Sequence, residues 1–547
     1  MSGRGAGRGW VRRVSASLAG AALLISVVTV FARVAGFGRT LVFSQTVGEN
    51  CLGTAYVTAN QLPTVLFEVV IGGALSGMVV PVLATAASRG DAGQVRRTAS
   101  ALVTWVVLAA VPLSLLLAAA SAPAALLLLS GTRGCDSADL LALATRFLVV
   151  FAPQILFYGL AAVLYGVLQA HRRFLAPALA PLVSSLVVIA AYVAFVPLSG
   201  GRADDIGALP AAAELTLSLG TTAGVAALFL TALVPVARLR LGLRPTLSFP
   251  PGIARRARSL AVAALLPLVA MQLSLLLSMW LANNGGGGGT GVLYSYAWAL
   301  FTLPYGIVAV PIATSAFTAL SVHHGEREQG AFDRVLSTGV RACLIATAGP
   351  AAALAAAAFP LSLVFAGETA PQLARALPAY APGIVAFGTA ALLSRALYAS
   401  HHGRAAALAQ VAGWLAVTVG SVAGVALAPP GWTVAALGAG TSLGLGIGAL
   451  LLVAAVLRAR GRSAFAAAGR TVAACALGTG LGYACGAGVA ALAPTGSTPA
   501  AAGAAVLSGT AALAGYGLAV ALIDSKALRA ALTRRIGGAS TDEGRTG

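Results

Sequence analysis

The feature that most constrains this chain is a repeated one. Runs of about twenty or more apolar residues, the length needed to cross a hydrocarbon core of roughly 30 Å, follow one another from residue 18 to residue 523. They fall at approximately 18–43, 52–85, 98–129, 139–169, 174–198, 212–236, 257–282, 291–320, 335–365, 373–399, 405–428, 433–457, 468–493 and 500–523. Only helices satisfy their own backbone within lipid at such lengths, so the predicted fold is an all-α integral membrane protein of about fourteen spans. Composition agrees: 9% of residues are charged, against roughly 25% in soluble domains, which excludes a soluble enzyme. Arg4, Arg8, Arg12 and Arg13 precede the first run as in a signal peptide. That run continues past Ser26 to Arg33 without a cleavage site, which predicts a retained span.

The 35 Lys and Arg against 15 Asp and Glu leave a net charge of +20, and placement decides what that excess means. With the N-terminus inside, 29 of the 35 cations fall in the segments that alternate to the cytoplasmic side, as short cytoplasmic loops require. The acids Glu49, Asp136, Asp139, Asp204, Asp205, Glu214 and Glu368 fall on the other side. The prediction is an even number of spans in the plasma membrane, both termini cytoplasmic, with basic loops facing anionic lipid rather than nucleic acid. The organisation that follows is a basic N-terminus (1–17), a first lobe (18–236), a basic linker (237–256), a second lobe (257–457), two further helices (468–523) and a polar tail (524–547).

No soluble domain fits between the spans. Gly285–Gly289, five glycines in an outside turn, reads either as slack between spans 7 and 8 or as a by-product of a small-residue composition. Cys51 and Cys135 both map outside, where a disulfide is chemically allowed, and spacing leaves their pairing open. His171, His323, His324, His401 and His402 sit at cytoplasmic helix ends and read as solvated. No metal-ligand spacing, phosphate-cradling loop or catalytic constellation stands out, so no catalytic residue, metal or cofactor is expected.

Ionisable residues within spans are a different matter, because a charge at mid-bilayer is costly and marks a cavity or pathway. Arg33 and Arg39 lie in span 1, separated by Gly36 and Gly38. Six residues place them about 120° apart around the helix and about 9 Å apart along it. An extended anion such as a pyrophosphate fits both; the alternative is that Arg39 reaches to the interface and Arg33 caps a carbonyl. Span 2 carries Pro63, the pair Gly72-Gly73 and the acid Glu68. Proline and paired glycines hinge a helix where it lines a cavity; Glu68 reads as an ion-pair partner, a proton acceptor or a partner of neighbouring hydroxyls. Leu62-Pro63 is echoed 241 residues later by Leu303-Pro304 in span 8, the offset that a repeat of six helices gives. Two repeated bundles around a cavity that opens alternately to either side is the usual arrangement of a transporter.

The run Arg33-Val34-Ala35-Gly36-Phe37-Gly38-Arg39, then Asn60-Gln61-Leu62-Pro63 and Gly73-Ala74-Leu75-Ser76 up to Val80-Pro81, resembles the opening signature of the MviN/MurJ family. Tyr294-Ser295-Tyr296-Ala297 with Leu303-Pro304-Tyr305-Gly306 is similar to the family's eighth helix. These are lipid II flippases of the MOP exporter superfamily. The resemblance implies two six-helix lobes around a cationic cavity, with two C-terminal helices forming a groove for a polyprenyl tail. It also implies an undecaprenyl-pyrophosphate-linked lipid as substrate and cell-wall synthesis proteins as partners. Arg33 and Arg39 match the family's two cavity arginines of helix 1; Glu68 joins them as a candidate substrate-binding residue, and Pro304 joins Pro63 as a candidate hinge, on the residues' own reading. Departures mark a divergent, actinobacterial-type member: Phe67 stands where helix 2 often has a basic residue, Trp298-Ala299 where helix 8 often has arginine, and 257–282 and 405–428 lack the acids that hold sodium in some members.

The expected function is flipping of lipid II from the inner to the outer leaflet by alternating access. The alternatives are export of drugs or polysaccharide-lipid precursors by the same architecture, and a non-transporting scaffold in envelope assembly.

Overall fold

A computed structural model describes residues 5–72, 83, 91–248, 253–326 and 328–533, with the side chains of 5–23, 26, 253–264 and 526–533 excepted. Regular structure among the described residues is helical throughout. Thirteen described stretches, from Val27–Thr46 to Thr498–Ser525, are long and apolar enough to cross a membrane, and they coincide with thirteen of the fourteen expected spans. The remaining span is helical over Cys51–Phe67 and Glu68–Gly72; nearly all of its continuation, including Gly73, lies outside the described residues. The chain packs as two compact units, residues 1–292 and 293–547.

Unit one holds α1 (Gly5–Thr46), α2 (Cys51–Phe67), α3 (Ala92–Ala119), α4 (Ser121–Leu129), α5 (Ser137–Phe151), α6 (Gln154–Ala170), α7 (Leu175–Ser199), α8 (Ala211–Ala237) and α9 (Ile253–Gly286). Local chemistry sets the helix starts: Asn50 accepts from the Gly53 N–H at 2.9 Å, and Asp136 accepts from the N–H groups of Ala138 and Asp139, each cap worth about 1 kcal/mol. α7 packs on α1 and α8, and α2 on α5. Where α1, α2, α7 and α8 approach, the buried Tyr56 hydroxyl bonds to those of Tyr192 (2.8 Å) and Thr221 (2.6 Å). The rings of Phe43, Phe147 and Phe151 pack about it.

The end of unit one bearing the α1–α2 turn is stapled. Cys51 and Cys135 form a disulfide, and the glycine run is docked beneath it. Gly288 N–H donates to the Arg133 carbonyl at 2.7 Å and Gly289 N–H to Thr54 Oγ1 at 2.8 Å. Gly287 and Gly289 adopt φ of +90° and +83°, and a Cβ at Gly288 would stand 2.6 Å from Cys135 Sγ. Asn284 adds a bond from the Gly131 N–H at 2.7 Å and donates to the Leu128 carbonyl. These ties place α9 in unit one by packing, whereas the sequence repeat groups it with the five spans that follow.

Unit two contains α10 (Thr290–Pro304, whose first residues belong to unit one), α11 (Val310–Gly325), α12 (Gln329–Ala356), α13 (Ala358–Ala366), α14 (Ala370–Ala399), α15 (Gly403–Leu427), α16 (Thr433–Arg460), α17 (Ala468–Leu492) and α18 (Thr498–Thr533). In lipid, helices associate through close van der Waals fit rather than through a hydrophobic drive. α15 and α16 achieve it with glycine: a Cβ at Gly444 would fall 2.2 Å from the Val417 backbone nitrogen. α12 packs on α14, α17 and α18.

One end of unit two is tied by charge. Asp524, 3% exposed, accepts from Arg341 Nη2 at 3.0 Å on each carboxylate oxygen and from Thr471 Oγ1 at 2.7 Å. Arg341 Nε also donates to Thr471 Oγ1 at 2.9 Å. The helical path of α18 breaks at Asp524, and Arg470 donates to the carbonyl of Ile523 that the break frees. Nearby in the chain, Asp333 accepts from Arg460 and Ser463, each at 2.7 Å.

Candidate functional site

α1 runs unbroken through Gly36 and Gly38, and a Cβ at either would meet nothing within 4 Å. Open space therefore adjoins the helix between the two arginines. Arg33 and Arg39 are both exposed, and neither is in an ion pair among the described residues. Arg146, the third arginine within a span of this unit, differs: its Nε and Nη2 reach the Glu214 carboxylate at 2.7 and 2.9 Å. Pairing neutralises Arg146 and leaves the two cations of α1 able to meet an external anion.

Pro63 is buried in α2, and the helix widens just beyond it into a π-helical turn, Glu68–Gly72. Such turns insert one residue into the ladder and recur at functional sites. The half-buried Glu68 carboxylate folds back over Gly72, where a Cβ would lie 2.8 Å from Oε2. Tyr158 of α6 packs beside this turn, its ring stacked on Phe67 at 5.5 Å. Among the described residues Glu68 makes no ion pair within 4.0 Å.

Unit two repeats the pattern with different residues. Pro304 ends α10, and a second π-helical turn, Tyr305–Ala309, follows at once. Tyr305 stacks on Phe387 at 4.0 Å, and Arg395 of α14 donates to the Ala391 carbonyl at 2.9 Å. Each unit therefore sets a Leu-Pro pair ahead of a π-helical turn with an aromatic stack beside it. Sequence reasoning missed Tyr158 and Arg395. A tyrosine in an apolar span reads as packing, and Arg395, near the end of its span, was absorbed into the count of topology-setting cations.

Unit two also contains an apolar cavity of about 520 Å³ between α12, α14 and α17. Leu344, Ala348 and Ala355 on α12 and Val472, Ala476 and Tyr483 on α17 form facing walls. The Arg341–Asp524–Thr471 cluster lies one helical turn beyond Leu344 and next to Val472, at one end of both walls.

A family model described as lipid II flippase MurJ matches residues 43–494. The lipid II flippase MurJ of Burkholderia cenocepacia is 26% identical over 399 residues, covering 69% of this chain and 73% of that protein. The probable lipid II flippase MurJ of Vibrio cholerae is 25% identical over 404 residues, covering 70% and 73%. Among solved structures, a lipid II flippase MurJ in an inward closed conformation has a TM-score of 0.70 at 19% identity, covering 93% of this chain and all of that one. An inward-facing MATE multidrug transporter of the MOP superfamily has a TM-score of 0.63 at 14% identity, covering 80% and 98%; both are likenesses of fold. With the family model spanning most of its length and the helical architecture in agreement, the chain belongs to the MurJ lipid II flippase family.

Proposed function

We propose that this protein carries the lipid-linked peptidoglycan precursor, lipid II, from the inner to the outer leaflet by alternating access. The supporting observation is the pair of α1 arginines, unpaired by any described acid and beside open space, in a chain whose family acts on a pyrophosphate lipid. Arg33 and Arg39 bind the pyrophosphate as two cations spaced for an extended anion. Glu68, on the π-helical turn of α2, supplies the acid of the site, and Tyr158 packs beside that turn through Phe67. The apolar cavity between α12, α14 and α17 receives part of the polyprenyl tail. The Gly36, Gly38, Pro63, Gly72, Gly73 and Pro304 positions give the spans their hinges, within two six-span lobes. Both termini lie in the cytoplasm, and the basic loops rest on anionic lipid near the cell-wall synthesis machinery.

Complementation tests this directly. Cells depleted of their own flippase are expected to grow with the parent chain and to fail with Arg33→Ala or Arg39→Ala at equal membrane abundance. Full rescue by both variants would overturn the assigned roles. The exporter reading, for which the few charges within spans speak, predicts instead that a drug cation binds the purified protein undisturbed by lipid II.

A further inference from the structure

Three of the chain's five histidines, His323, His324 and His401, border a single cavity of about 390 Å³ at one end of unit two. Gln329, Phe332 and Arg460 complete its wall. In the sequence these histidines read as separate solvated residues at helix ends. In the fold, α11 ends at Gly325 and the chain turns into α12, bringing two carboxylates to the same place. His323 Nδ1 lies 2.9 Å from Glu328 Oε2, and the ligand atoms of His323, Glu326 and Glu328 all lie within 4.8 Å of one another.

We propose that His323, Glu326 and Glu328 form a binding site for a divalent transition-metal ion of the zinc type. A metal about 2.1 Å from each ligand atom holds any two of them no more than about 4.2 Å apart. The three ligand atoms, within 4.8 Å of one another, stand close to that limit. Glu326 N–H is bonded to the Val322 carbonyl at 3.0 Å and Glu328 N–H to the His323 carbonyl at 2.9 Å.

The site favours a cation over an anion. It sits at the C-terminal, negative end of α11 and carries two carboxylates. The one arginine on the cavity wall, Arg460, is neutralised by Asp333 at 2.7 Å and lies over the Phe332 ring at 4.3 Å. An imidazole nitrogen beside two carboxylates selects zinc-like ions over magnesium, which prefers oxygen alone. The rings of His324 and His401 stand 5.0 Å apart beside the site, a reserve of nitrogen donors from a second turn. A bound ion replaces the proton between His323 and Glu328 and pins the end of the helix that begins directly after the Tyr305–Ala309 turn, a restraint on the segment placed among the moving parts above.

The full chain, purified without a histidine tag in lipid nanodiscs, is titrated with Zn²⁺ against a competing fluorescent indicator. The parent is expected to bind about one equivalent, and His323→Ala and Glu328→Gln to lose at least about tenfold in affinity. His171→Ala, in the other unit, is expected to keep it. Equal elution profiles and melting temperatures show that the variants are folded. Binding unchanged in both ligand variants, equal competition by Mg²⁺, or no stoichiometric binding by the parent overturns the proposal.

Discussion

Removing the carboxylate of Asp524 is expected to loosen α17 and α18 from unit two, by an amount that the surroundings of Asp524 set. In Asp524→Leu, Arg341 loses both contacts at 3.0 Å and Thr471 loses the acceptor at 2.7 Å. Breaking a buried pair from one side costs about 3–5 kcal/mol, because the other charge stays behind uncompensated. The Arg341 side chain keeps 23% of its surface exposed, so water relieves part of that penalty and the lower end, about 3 kcal/mol, applies. The double variant Arg341→Met/Asp524→Leu removes the stranded charge as well, and apolar replacement of a whole pair is close to neutral. The expected cost is then about 1 kcal/mol or less, about 2 kcal/mol below that of the single variant. Cys475 on α17, 6% exposed, reports on opening. In a Cys343→Ala/Cys485→Ala background it is the one free thiol, since Cys51 and Cys135 are joined. If opening limits alkylation, about 3 kcal/mol corresponds to a rise of about a hundredfold in its rate, at tenfold per 1.4 kcal/mol. The double variant is expected to rise no more than about fivefold. A double variant as reactive as the single one, or a single variant no more reactive than the parent, would refute the reasoning.

Two packing predictions are simpler. Gly288→Ala sets a Cβ 2.6 Å from Cys135 Sγ, and overpacking of this kind costs about 1–3 kcal/mol; a lower melting temperature with the disulfide intact on a non-reducing gel is the expected result. Gly444→Leu drives a side chain into the α15 backbone at Val417 and is expected to reduce the folded yield from membranes. Gly446→Leu, at a position with nothing within 4 Å, should leave it unchanged.

Most of the architecture was legible because a bilayer imposes a length on every apolar run. Arg33 and Arg39 stood out for the same reason: a charge inside a span is rare enough to need an explanation. What escaped notice depended on contacts distant in the chain. Glu214, assigned to an outer helix end, turns out to neutralise Arg146 from 68 residues away. Tyr158 acquires its place only when α6 lies against α2 and its π-helical turn. Asp524, which reads as the first residue of a polar tail, is buried because Arg341 and Thr471 wait for it on other helices. The glycine run looked like slack or compositional noise, and no periodicity reveals that a disulfide and the Arg133 carbonyl need its missing side chains.

That staple also orders the birth of the protein. A thiol pair joins only where an oxidant reaches it, so the Cys51–Cys135 bond can close only after the three spans that precede Cys135 have been made and both turns have met an oxidant. Ribosomes add about 5–20 residues per second, so the 84 residues between the cysteines delay closure by several seconds. The glycines that seat beneath the bond are made later still. Unit one therefore matures in two acts, crosslink and then docking, and a chain whose turns have not met an oxidant carries two unjoined thiols, a chemical mark by which immature molecules are told from finished ones.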